Sequence, residues 1–203
     1  TAWRFRGYRP QPVTPLVAWR WLRQFQSKED KKAVLALLDS VVFVGEREIE
    51  QALIYLNVAL LNKLTRDGIL PQNVIYVQHD DAGSSSPVML NKVRDGARLQ
   101  HLGCTLLDSR DVLGIHHATN DLGSGAIVYV DEFSGSGNQF VDSLSFVRKY
   151  IVGTFVEYLL VHTICEEAVL QLGKHGIEPF SKQVHSGAVA VPSKNFEEKR
   201  RFH

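Results

Sequence analysis

The chain lacks most of the features that announce a class. It has only two cysteines in 203 residues, Cys104 and Cys165, far apart and without the short spacings of zinc ligands. A disulfide between them stays open, but a reducing cytoplasm is the simpler setting. No apolar run approaches the roughly 20 residues needed to span a bilayer. The amino terminus has no apolar signal-peptide core, so no membrane partner is expected. The net charge is only +1, and this balance singles out neither nucleic acid nor a charged surface as partner. There is no internal repeat and no low-complexity tract. The first residue is Thr1 rather than Met, and further sequence is expected ahead of it. What remains is ordinary: 44% hydrophobic and 22% charged residues, enough for a globular domain with a real core.

Acid is missing locally as well. Residues 1–23 hold Arg4, Arg6, Arg9, Arg20 and Arg23 and no Asp or Glu, interleaved with Trp3, Phe5, Tyr8, Trp19 and Trp21. Pro10, Pro12 and Pro15 keep the middle of this stretch extended, which predicts an irregular arm and then a helix over 15–26. Arginines could meet phosphates and aromatics could stack on bases, or the same side chains could dock on protein. A nucleic-acid or protein partner within a larger complex or oligomer is expected for this arm. A second helix follows over 28–39, then a short apolar segment at 41–44. Ile49, Leu53, Leu56, Leu60 and Leu64 recur at helical spacing and predict a long helix over 46–66, capped by Gly68. Residues 1–70 therefore read as an arm with a helical extension, and 71–203 as the core domain.

From residue 73 the pattern alternates. Strands are expected at 74–77, 126–130, 154–162 and 187–191, and helices at 87–99, 138–150 and 165–174. The stretch 103–124 is expected to hold one short strand or helix. Alternation of this kind implies an α/β fold with a mostly parallel sheet flanked by helices. Gly123-Ser124-Gly125 lies before its strand and reads as a tight turn. His116 and His117, and Asp108, Arg110 and Asp111, read as exposed loop or surface groups. Glu166 and Glu167 suit the first turn of a helix. His162 reads as a packed histidine at a strand end.

The sharpest signal is a buried strand, Ile127-Val128-Tyr129-Val130, that runs into Asp131-Glu132, Phe133, Ser134-Gly135-Ser136-Gly137 and a helix starting Asn138-Gln139. Glycines let a backbone approach a phosphate closely, serines add donors, and a helix start offers unpaired N–H groups with partial positive charge. The two carboxylates suit sugar hydroxyls, or Mg²⁺ beside a polyphosphate. Other phosphate loops fail on detail. A Walker loop needs Lys after its last glycine, and Asn138 stands there. A dinucleotide fingerprint needs a third glycine where Phe140 stands, and its acid comes later rather than before.

In this order of residues, 127–139 resembles the phosphoribosyl pyrophosphate (PRPP) motif of type I phosphoribosyltransferases. The resemblance implies that Asp131 and Glu132 contact the ribose and take the catalytic role. It implies that Ser134, Gly135, Ser136, Gly137, Asn138 and Gln139 surround the 5′-phosphate, with Gln139 where the family usually has a hydroxyl residue. It also implies a pyrophosphate loop after the first strand, at Gly83, Ser84 and Ser85, with Mg²⁺ as cofactor. Asp80 and Asp81, just before that loop, are candidate metal ligands, and the family's usual basic residue is absent there. The helix holding Trp21-Leu22-Arg23-Gln24-Phe25, the leucine-rich helix and the short strand ahead of this core are similar to phosphoribosyltransferase-like domains of bacterial conflict systems, including some retron anti-phage systems. Two functions follow as expectations. One is an enzyme that binds PRPP or a related nucleotide with Mg²⁺ and acts at the ribose C1, as an effector that depletes or modifies nucleotides or nucleic acid. The other is an inactive nucleotide sensor or scaffold in a nucleic-acid or protein complex.

Overall fold

The computed structural model describes residues 14–40, 44–78 and 86–186. The expected arm before Thr14 and the expected strand at 187–191 lie outside them. The chain divides into two compact units, Thr1–Ile49 and Glu50–His203.

In the first unit, helix α1 spans Pro15–Leu22 and α2 spans Lys28–Ser40. Thr14 caps α1 by accepting from the Val17 N–H at 3.3 Å, and Pro15 sits in the first turn, where its missing N–H does no harm. Ser27 accepts from the Asp30 N–H at 2.9 Å at the start of α2. No residue of α1 is buried; Trp19 is 56% exposed, with the Arg23 guanidinium 5.0 Å over its ring. The helix stops before the expected residue 26.

Helix α3, Glu46–Arg66, has the predicted bounds. Gly68 closes it at φ +87°, with the Ile69 N–H returning to the Leu64 carbonyl at 2.8 Å. In the second unit its residues Leu53, Leu56, Leu60 and Leu64 are buried. There follow β1 (Val74–Gln78), α4 (Ser86–Gly96), β2 (Thr105–Asp108), α5 (Val112–Leu122), β3 (Ser124–Ser134), α6 (Asn138–Val147), β4 (Thr154–Cys165), α7 (Glu166–Lys174) and β5 (Ile177–His185). All pairings are parallel and the order is β2-β1-β3-β4-β5. The α/β, mostly parallel architecture read from the sequence is the one present.

Both faces of the sheet are covered, which is why its central strands read as unbroken apolar runs. Ile75, Val77, Ile127, Tyr129, Leu159 and Val161 face α5, α6 and α7, which bring Ile115, Phe140, Val141, Leu144, Ala168 and Leu172. On the other face Tyr76 donates to Asn57 Oδ1 of α3 at 2.6 Å, and Lys63 of α3 donates to the Tyr158 hydroxyl at 2.8 Å. Glu157 of β4 gathers three elements: it accepts from Tyr129 Oη at 3.1 Å and from Arg148 Nε at 2.8 Å, and Arg148 Nη2 reaches the His175 carbonyl at 2.7 Å.

The structure corrects the reading in three places. The stretch 103–124 holds both a strand, β2, and a helix, α5. Gly123 is the cap of α5 at φ +67° rather than part of a free turn, and Ser124 already belongs to β3. A strand that the sequence reading omitted, β5, pairs with β4 as the sheet's edge.

α4 ends unusually. The Leu99 N–H bonds the Arg94 carbonyl at 3.0 Å across a left-handed residue, the place where glycine is favoured. Here that residue is Arg98, at φ +53° the only non-glycine residue with positive φ among the described residues. For an L-residue this conformation costs about 1–2 kcal/mol.

Candidate functional site

β3 pairs with β1 on one side and β4 on the other. The chain leaves β1 toward β2 on one flank and returns through α5 to β3 on the other. The crossover directions therefore diverge between β1 and β3, and open parallel sheets bind ligands outside the carboxyl ends of the strands at such a switch point. Asp131 and Glu132 lie near the carboxyl end of β3, so the fold delivers the acidic pair to this place.

Alternation along the strand sends the two carboxylates to opposite faces. Both residues are partly buried. Asp131 Oδ1 accepts from the Glu132 N–H at 2.7 Å, which fixes the orientation of the Asp131 carboxylate. Phe133 is 54% exposed at the strand end, and Ser134, the last strand residue, is buried. The expected loop therefore begins inside the sheet and emerges at Gly135.

Gly137 is the N-cap of α6 in a left-handed conformation, φ +77°. It packs against α7: a Cβ there would lie 3.2 Å from Ala168 Cα. The α6 ladder starts with the Val141 N–H on the Gly137 carbonyl at 3.0 Å, so the amides of Asn138 and Gln139 precede it. The Asn138 N–H leans on Ser136 Oγ at 3.4 Å. The first turn of α6 carries no acidic residue, so nothing there offsets the positive end of the helix dipole. Asn138 and Gln139 are exposed. The arrangement can receive an anion at the helix start with carboxylates beside it for hydroxyl groups or a hard cation.

The candidate pyrophosphate loop Gly83, Ser84 and Ser85 and the candidate metal ligands Asp80 and Asp81 lie outside the described residues. β1 delivers that segment from Gln78, and α4 resumes at the buried Ser86. Among the described residues, no three His, Cys, Asp or Glu side chains gather into a metal-sized group. Mg²⁺ needs no such cage, since one or two carboxylates and the substrate's phosphates commonly hold it, and a single carboxylate, Asp131 or Glu132, has that donor chemistry.

Other expected groups have structural employment. Asp108 pairs with Arg110 at 2.9 Å, and the guanidinium holds its carboxyl below the usual range. Asp111 caps α5 by accepting from the Gly114 N–H at 2.9 Å. His116 and His117 are exposed on α5. His162 is buried on β4, its Nδ1 2.7 Å from Thr163 Oγ1. The flanking register, Asp131 with Val161 and Phe133 with Thr163, puts it level with Glu132. Sequence reading missed Ala168 as the support of the loop, because nothing local marks a residue from α7 as the floor under Gly137.

The family model PRTase-CE matches residues 19–202. Among solved structures, the chain is similar to orotate phosphoribosyltransferase from Aeropyrum pernix, with a TM-score of 0.42 and 15% identity over 80% of this chain and 86% of that one. It is also similar to a hypothetical protein from Neisseria gonorrhoeae with bound ppGpp, with a TM-score of 0.42 and 12% identity over 79% of this chain and 96% of that one. No curated protein matches the sequence. The family match spans nearly all of the chain, and by that match this phosphoribosyltransferase-like α/β protein belongs to the PRTase-CE family.

Proposed function

We propose that the chain binds PRPP, or a nucleotide sharing its ribose 5-phosphate, with Mg²⁺ at the carboxyl end of β3, and acts on the ribose C1. The observation that carries this is the acidic pair set directly before a glycine–serine helix start at the β1–β3 switch point. Amides at 135–139 would hold the 5′-phosphate. Asp131 and Glu132 would accept from the ribose hydroxyls and hold the sugar while the bond at C1 loosens. Mg²⁺, when bound, would neutralise charge developing on the leaving pyrophosphate. The protein's contribution is positioning and electrostatic stabilisation. The resemblance to conflict-system domains supports an effector that depletes or modifies nucleotides or nucleic acid.

Calorimetric titration with PRPP and Mg²⁺ tests the site. The Asp131→Asn/Glu132→Gln variant should lose at least tenfold in affinity with little change in thermal midpoint, because both groups sit at an open strand end. Equal affinity in the two proteins sinks the assignment. Gln139, exposed where the family usually has a hydroxyl residue, favours a second reading: a sensor that binds without turnover. Turnover separates the two, since only the enzyme consumes PRPP with release of pyrophosphate, or a nucleotide with release of its base.

A further inference from the structure

A polar cavity lies at the far end of α4. It is open, has a volume of about 290 Å³, and is lined by Arg94, Asp95, Arg98, Gln100 and His101. α4 starts at Ser86, beside the carboxyl end of β1, and its 11 residues run back along the sheet for roughly 16 Å. The cavity therefore sits near the amino ends of the strands, away from Asp131 and the β3 loop.

Three observations point to an external anion. Cations dominate the lining, and Asp95 is already neutralised by Arg94, at 2.7 Å for Nε–Oδ1 and 3.1 Å for Nη2–Oδ2. Those bonds occupy two of the five guanidinium donors and leave the others for a ligand. Arg98 holds the left-handed position that closes the helix, where glycine would sit without strain. Its guanidinium has no hydrogen-bond or ion-pair partner among the described residues, so the fold gains nothing visible from an arginine there. Unfavourable backbone conformations of this kind cluster at ligand clamps.

We infer that this cavity is a second ligand site and that it takes a nucleoside diphosphate. The free fork of Arg98, the remaining donors of Arg94 and the His101 imidazole would meet the diphosphate, since guanidinium geometry matches phosphate oxygens in pairs. Asp95 and Gln100 supply the acceptors and the amide that a ribose or base edge needs, which bare phosphate would not use. A nucleotide bound here grips the end of the helix whose other end follows the β1 loop. It is therefore placed to influence the candidate site without occupying it.

Calorimetry with ADP on the full chain tests this, in the Asp131→Asn/Glu132→Gln background so that the β3 site does not contribute. Saturable ADP uptake is expected there. Adding Arg98→Gly should weaken it at least tenfold, while the unfolding midpoint stays level or rises, because glycine relieves the strain. Pyrophosphate should bind more weakly than ADP, and adenosine more weakly still. Unchanged ADP affinity in Arg98→Gly overturns the assignment. So does absence of saturable binding at millimolar ADP, adenosine binding as tightly as ADP, or displacement of ADP by a short single-stranded oligonucleotide of higher affinity.

Discussion

Gly137 and Gly135 sit two positions apart in the candidate phosphate loop, and their environments set different limits. Gly137 has a positive φ, and a Cβ would press on the Ala168 backbone at 3.2 Å. Gly135 has neither constraint; a Cβ there meets only the edge of the Phe133 ring at 3.4 Å. A substitution at Gly137 therefore confuses loss of ligand with loss of packing between α6 and α7. We expect Gly137→Ala to lower stability by about 1–3 kcal/mol. Gly135→Ala should stay within about 0.5 kcal/mol of the parent. Urea unfolding of the two variants checks this, and equal midpoints would show that Gly137 does not carry the loop's strain. The sequence made the acidic pair and glycines legible because they are contiguous. It could not disclose the Ala168 contact, which depends on how α7 packs, nor the left-handed state of Arg98, a residue type that seldom signals one.

At the scale of elements, legibility followed burial. β3 and α3 were readable because long apolar patterns survive at full burial, and α3 matched at both ends. β2 is four residues long and only partly buried, so Thr105–Asp108 gave no alternation to detect. α5 was hidden by its start, where Asp108, Arg110 and Asp111 look like a polar loop; Asp111 is instead the cap that begins the helix. β5 carries Pro179 and exposed or half-buried residues beyond Ile177, the composition of an edge strand rather than a core one. Its pairing with β4 comes from tertiary context that a local pattern does not encode.

Across the whole molecule, protonated groups are held by the fold. Burial pushes Tyr76 and Tyr129 well above the ordinary phenol range, and the Cys104 thiol up to about 11. The bond to the Tyr158 hydroxyl raises Lys63 to about 12. All four keep their protons in the folded chain to higher pH than in the unfolded one. Their stabilisation is complete below the unfolded values and is lost as pH rises past them, from about pH 9 upward. The two tyrosines together should add about 2.7 kcal/mol per pH unit to the fall once the pH is well above 10. Tyr129→Phe should remove about half of that slope, since Glu157 keeps Arg148 as partner. Unfolding midpoints between pH 7 and 11.5 give the measurement, and a flat profile would contradict the burial of these groups. Finally, the sheet closes over unequal lengths of chain. β4 meets β5, and β3 meets β4, across shorter connections than β1 needs to find β3, whose Ala126 pairs with the distant Val74. Shorter loops close at lower entropic cost. Strands β3, β4 and β5 should therefore form the folding nucleus, with β1 joining β3 after them. In pulse-labelled hydrogen exchange the amides of Leu160 and Val161 should be protected before that of Tyr76. On a ribosome this order delays the rendezvous of β1 with β3 until β4 and β5 have emerged, so a nascent chain would stay unable to engage a ligand at the switch point until then.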